Sequence, residues 1–257
     1  MRHAIQSYLQ FLWQSKNQHG VHSPFVYELV TQCFYDRKRY PEYNLLDQVR
    51  NELLADDTVL TVSDLGAGSR VFSSEQRKVS KIAKHVGITK KRQRLLFRLA
   101  QYLQPGNILE LGTSLGLATV ALAAAKRDAP VITIEGCRET AARAQQLFDA
   151  HKLDSIRLYQ QSFETFFEAH PIATYDLVYV DGHHSKAHTL QYFEWLLQHV
   201  SNESVLLFDD IYWSAEMTEA WRYICAHQRV TVSIDTFQWG LVFFRSEQKK
   251  EHFVIRL

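Results

Sequence analysis

The sequence predicts an α/β fold: a mostly parallel sheet with helices on both faces, a C-terminal antiparallel hairpin and a helical N-terminal extension. Three observations carry this. From residue 108 onward, short apolar runs of strand length alternate with helical patterns. The runs are almost continuously apolar, as strands covered on both faces require. The last two, Val230–Ile234 and Leu241–Phe244, are joined by a link containing Gln238-Trp-Gly240, which is too short for a crossover and suits a hairpin.

Residues 1–85 read as the extension and 86–257 as the main domain. In the first segment Ile5, Tyr8, Leu9, Leu12 and Trp13 fit one apolar helical face. His19-Gly-Val-His-Ser-Pro24 is a turn into a second helix, with Ser23 as its cap and Pro24 at its first position. His19 and His22 read as packing residues of that helix entry. The extension matches no motif for chemistry and suits a lid or the surface of a homodimer. Between Arg70 and Arg98 lie ten basic residues and a single acid, Glu75. This reads as a solvated helix face with Leu95, Leu96, Leu99 and Leu103 turned inward; an acidic partner such as RNA is the rival reading.

The main domain opens with Asn107-Ile-Leu-Glu-Leu-Gly112-Thr-Ser-Leu-Gly116 and a small, apolar helix through Ala125, whose Leu117, Val120, Ala121 and Ala124 share a face. Strand, glycine turn and helix N-terminus form a nucleotide-type binding element. Strands then follow at Val131–Ile134, Ser155–Tyr159, Tyr175–Val180 and Ser204–Phe208, with helices at Ala141–Ala150, Leu190–Val200 and Ala215–His227 among them. Acids stand at the ends of several strands: Glu135, Asp181 and the pair Asp209-Asp210. Ligands of open α/β sheets bind outside those carboxyl ends.

The totals restrict function. A chain of 257 residues, 46% hydrophobic, supports a sizeable core. The formal net charge of +1 gives no global attraction to nucleic acid or to a membrane surface. Cys33, Cys137 and Cys225 lie too far apart for a zinc spacing and are odd in number, which points to a reducing, cytoplasmic setting. The start, Met1-Arg-His-Ala-Ile-Gln, lacks a signal-peptide core, and no run approaches the roughly 18 apolar residues of a membrane span.

The spacing Glu110-x-Gly112-x-x-x-Gly116 is neither a dinucleotide fingerprint nor a P-loop. It resembles motif I of the class I S-adenosylmethionine (SAM) methyltransferases, most closely the catechol and caffeoyl-CoA type O-methyltransferases. The resemblance covers about residues 86–246 and implies a Rossmann-like sheet ended by the hairpin. It also implies that Glu110, Gly112, Thr113, Ser114 and Gly116 surround the methionine part and sugar of SAM, and that Glu135 binds the ribose. Ser162 and Phe163 fall where the family contacts adenine; a Ser there is equally a helix cap. Asp181, Asp209 and Asp210 match the family's Mg²⁺ ligands, with Asp210 standing where catechol-type enzymes have Asn, and Asp181 also counts among the cofactor contacts. His184 occupies the place of the family's catalytic base, with His183 as the alternative. Tyr212, Trp213 and Trp239 are candidate walls of an acceptor pocket.

Asp64-Leu-Gly-Ala-Gly-Ser69 looks like a second motif I. The sequence about 20 residues on is polar and basic rather than an acid-ended strand, so 64–70 reads as a loop. The expectation is thus a methyltransferase acting on a hydroxyl oxygen of a small molecule, with SAM and a divalent cation such as Mg²⁺. The rivals are an RNA-modifying methyltransferase that uses the basic 70–98 segment, and a non-catalytic SAM-binding protein.

Overall fold

The computed structural model describes residues 2–63, 74–170 and 173–257; the glycine-rich stretch 64–70 lies outside them. The chain divides into two compact units, residues 36–171 and residues 1–35 with 172–257.

The 36–171 unit is built on three parallel strands in the order β3 (Ile108–Leu111), β4 (Val131–Glu135), β5 (Ile156–Gln160). Between β3 and β4 runs α6 (Leu117–Ala125), and between β4 and β5 runs α7 (Arg138–Ala150). All nine residues of α6 are buried, so its other sides are covered as well as the face that Leu117, Val120, Ala121 and Ala124 share. Its small side chains let α5 (Lys90–Leu103) lie close, and Gln93 of α5 donates to the Leu117 carbonyl at 2.7 Å. Leu95, Leu96 and Leu99 face inward as expected, joined by Phe97 and Ala100. Ahead of α5 come α3 (Tyr43–Ala55), a small antiparallel pair of β1 (Val59–Thr61) with β2 (Gln76–Lys78), and α4 (Val79–His85). The pair is absent from the sequence reading because three-residue strands carry too little alternation to register. The basic run is partly neutralised by acids earlier in the chain. Lys90 and Arg94 each reach Asp47 at 2.9 Å, and Lys78 reaches Asp57 at 3.2 Å.

The other unit holds five strands in the order β10 (Glu251–Val254), β8 (Val232–Asp235), β9 (Trp239–Phe243), β7 (Val205–Asp209), β6 (Leu177–Val180). β6 and β7 are parallel, and β9 is antiparallel to both β7 and β8, so the C-terminal hairpin inserts its second strand next to β7. β10 adds in parallel beside β8 and is a further strand that the sequence did not reveal. Helices α9 (Lys186–Leu196) and α10 (Ala215–Ala226) start at the serine caps Ser185 and Ser214. At the other end of the chain, α2 (Pro24–Leu29) starts as expected on the Ser23 cap with Pro24 first, and passes directly into a π-helical turn at Val30–Phe34.

The first helix, α1 (Arg2–Gln14), departs from expectation. Its apolar stripe is turned outward: Ile5 is 56% exposed, Leu9 61% and Trp13 86%. Phe11 and Ser7 are its buried residues, and His3 hydrogen-bonds Thr218 of α10 at 3.1 Å. Periodicity finds the apolar face of a helix but does not say which face the fold covers. No described helix is long and apolar enough to cross a membrane.

Candidate active site

In the 36–171 unit the motif turn is held from two sides. Gly112 and Thr113 donate to the Ile134 carbonyl at 3.0 and 3.2 Å, so the turn hangs on the neighbouring strand. Gly112, Ser114 and Gly116 all have positive φ, at 104°, 50° and 83°. Gly116 is required for two reasons. Its φ favours glycine, and an added Cβ would lie 2.5 Å from the Phe148 ring. That glycine therefore serves packing against α7, not only approach to a ligand.

Glu135 closes the other side. Ser114 donates its N–H to Oε2 at 2.7 Å, and Cys137 donates to Oε1 at 2.9 Å. The two carboxylate oxygens have about four lone-pair positions. The Gly136 N–H and the Thr140 hydroxyl also bear on this carboxylate and favour its charged form. Burial pushes the Glu135 carboxyl up, opposed by the backbone N–H groups that it accepts.

Glu110 lies deeper than the sequence reading implied. It is fully buried and accepts the hydroxyls of Thr119 at 2.5 Å and Thr133 at 2.6 Å. Thr113 meets Thr133 at 2.5 Å. This network ties β3, β4, the turn and α6 together, so Glu110 braces the turn from behind. Burial pushes its carboxyl up to about 7. Its Oε1 has no hydrogen-bond partner among the described residues, which calls for a donor such as water or a ligand amine. Ser162 caps α8 (Phe163–Ala169) by accepting the Thr165 N–H at 3.2 Å, and Phe163 is largely buried. Ser162 therefore already has the capping role that was its alternative.

The unit of residues 1–35 and 172–257 brings the other candidates together. Asp181 follows β6, and Asp209 ends β7. Both meet one hydroxyl: Tyr179 Oη lies 2.7 Å from Asp209 Oδ2 and 3.1 Å from Asp181 Oδ2. Asp209 Oδ1 accepts the Asp210 N–H at 2.7 Å, and Asp210 takes a φ of 51°. His184 Nε2 lies 3.6 Å from Asp181 Oδ1, and the ring sits 5.5 Å from that of Trp213. His183 turns elsewhere. Its Nδ1 bonds the Tyr192 hydroxyl, and its ring lies 4.7 Å from His188. Of the two histidines, His184 is the one beside a carboxylate and His183 is held by α9. Both have positive φ, at 31° and 62°, a conformation that the short loop after β6 imposes on them.

The divalent-cation expectation was tested against this geometry. An ion shared by Asp181 and Asp209 needs free carboxylate oxygens facing one point. The oxygens that face each other already share the Tyr179 hydroxyl, and among the described residues no trio of His, Cys, Asp or Glu is gathered to hold a metal. These residues as arranged do not fit the ion. Of the proposed pocket walls, Trp213 stands beside His184, whereas Trp239 is a core residue at 2% exposure. Tyr212 donates to Asp235 at 2.5 Å and stacks on Phe237 at 5.1 Å. It lines a cavity of about 620 Å³ with Trp221, Asp235 and His252.

Residues 109–211 match a family model described as a methyltransferase domain. No curated protein matches the chain in sequence. Solved structures do match in fold. A Podospora anserina methyltransferase, PaMTH1, bound to S-adenosylhomocysteine (SAH) is 14% identical, with a TM-score of 0.62, over 87% of this chain and 97% of that one. An O-methyltransferase from Bacillus cereus in complex with SAH is 17% identical, with a TM-score of 0.54, over 82% and 94%. The O-methyltransferase TomG of Streptomyces achromogenes, in complex with SAM, is 18% identical, with a TM-score of 0.55, over 80% and 91%. Residues 109–211 thus match a methyltransferase domain model, and the fold of the chain is similar to that of solved methyltransferases.

Proposed function

We propose that this protein transfers the methyl group of SAM to a hydroxyl oxygen of a small molecule. The single observation that carries this reading is the Glu135 carboxylate. It is fixed by the Ser114 and Cys137 N–H groups beside the glycine turn and stands there as a charged acceptor for ribose hydroxyls. The cofactor, when bound, supplies an electrophilic methyl on a sulfonium. The turn 112–116 binds it against β3, Glu110 and its threonines hold that turn rigid, and Glu135 fixes the sugar.

His184 is the general base. With Nε2 3.6 Å from the Asp181 carboxylate, Nδ1 takes the proton of the acceptor hydroxyl. Bound SAM would supply the methyl for the new O–C bond, with SAH as the second product. No enzyme nucleophile is needed, only an in-line approach. Trp213 beside His184 is the candidate wall that orients an acceptor ring. The metal-assisted form implied by the family resemblance enters no step here, because Asp181 and Asp209 are engaged by Tyr179.

The test is methyl transfer from labelled SAM to a panel of phenols, catechols and aliphatic alcohols, alongside total tRNA. Label in a small hydroxyl compound, lost with His184→Gln, supports the proposal. Label in tRNA alone, with a steep salt dependence, supports the RNA reading instead.

A further inference from the structure

Tyr179 lies on β6, and Asp181 is the first residue past its end, within hydrogen-bond distance of the Tyr179 hydroxyl. The tyrosine is fully buried, and its ring packs 6.1 Å from that of Trp239. Its hydroxyl is therefore delivered by a rigid core side chain to one point between two strand-end carboxylates. The contacts, 2.7 Å to Asp209 and 3.1 Å to Asp181, are hydrogen-bond distances. A divalent ion bridging the same oxygens at about 2.0–2.5 Å from each would need the volume that this oxygen fills. The other oxygen of Asp209 is committed to the Asp210 N–H, and that of Asp181 faces His184.

We propose that the Tyr179 hydroxyl takes the place of a divalent ion between Asp181 and Asp209, and that the site works without metal. Tyr179 is a positioning residue. It fixes the two carboxylates relative to each other and so holds Asp181 where it faces His184. The role assigned to His184 rests on the methyltransferase reading above; the exclusion of metal by the hydroxyl does not.

The experiment is direct Mn²⁺ binding to the purified full-length protein, read by electron paramagnetic resonance of the free ion. Mn²⁺ stands in for Mg²⁺ because both take oxygen ligands in octahedral geometry. Site-specific binding is defined as the part that Asp209→Asn removes. The wild type is expected to show none up to millimolar Mn²⁺. Tyr179→Phe keeps the ring and deletes the hydroxyl, and it should create a site at least tenfold tighter that the double variant with Asp209→Asn loses. A merely structural tyrosine would not yield a gain of binding. Site-specific binding to the wild type overturns the proposal, and so does a Tyr179→Phe protein that binds no better than the wild type. SAH binding measured on the same samples keeps the two readings apart. Its loss in the wild type would sink the methyltransferase reading while leaving the metal result standing, and its retention in Tyr179→Phe shows that the variant is folded.

Discussion

Two residues, His184 and Glu110, show how burial divides roles among polar groups that look alike in sequence. His183 and His184 are adjacent and chemically identical, yet His184 lies 3.6 Å from the Asp181 carboxylate while His183 bonds the Tyr192 hydroxyl. His184→Gln should lower kcat by about 10²–10⁴-fold, with an SAH dissociation constant within twofold of wild type. Equal losses from His183→Gln would show the assignment to be wrong. Glu135 ends β4 and Glu110 lies one residue inside the end of β3, where it is sealed in. Its folded-state pKa, near 7, lies above the unfolded value near 4.5, so the folded state holds the proton more tightly. The resulting stability is full below about pH 4.5 and is lost as pH rises towards 7, roughly 3 kcal/mol in all. Urea unfolding from pH 5 to 8 should therefore show stability falling with pH, and Glu110→Gln should flatten that part of the slope.

At the scale of elements, the central strand–turn–helix was legible because its chemistry is local. A strand of four apolar-patterned residues, two glycines and a run of small side chains specify the turn without help from elsewhere. Its details were not legible. Gly116 is needed as much for the Phe148 ring on α7 as for any ligand, a reason that depends on a residue 32 positions later. Gly240 in the hairpin is similar: an added Cβ would lie 2.5 Å from the Trp221 ring on α10. Trp221 is 3% exposed and has little room to retreat. Gly240→Ala should destabilise the fold by about 1–3 kcal/mol, seen as a fall of several degrees in Tm, while a solvent-facing substitution such as Glu219→Ala should leave Tm nearly unchanged. The helix α1 taught the opposite lesson. Its amphipathic pattern was plain, but the fold covers Ser7 and Phe11 and leaves Ile5, Leu9 and Trp13 outside. The tiny strands β1 and β2 and the edge strand β10 were missed because pairing, not pattern, creates them.

For the whole molecule, the alternation of strands and helices was enough to anticipate the α/β class and the hairpin, and the matched domain and solved structures agree with it. The acids at strand ends were also legible, since chain order alone sends them to the carboxyl side of the sheet. What they do there was not. Whether Asp181 and Asp209 face an ion or a hydroxyl depends on Tyr179, which in the sequence is only one more apolar-patterned residue of a buried strand. The central claim, that the glycine turn and Glu135 form a SAM site, is tested most directly by calorimetric titration of SAH into the wild type and Glu135→Ala. Micromolar binding by the wild type, weakened about 30-fold or more in the variant as hydrogen bonding of the ribose to a charged group is lost, is the predicted result. An unmeasurable heat with the wild type, or an unchanged dissociation constant in Glu135→Ala, would contradict it.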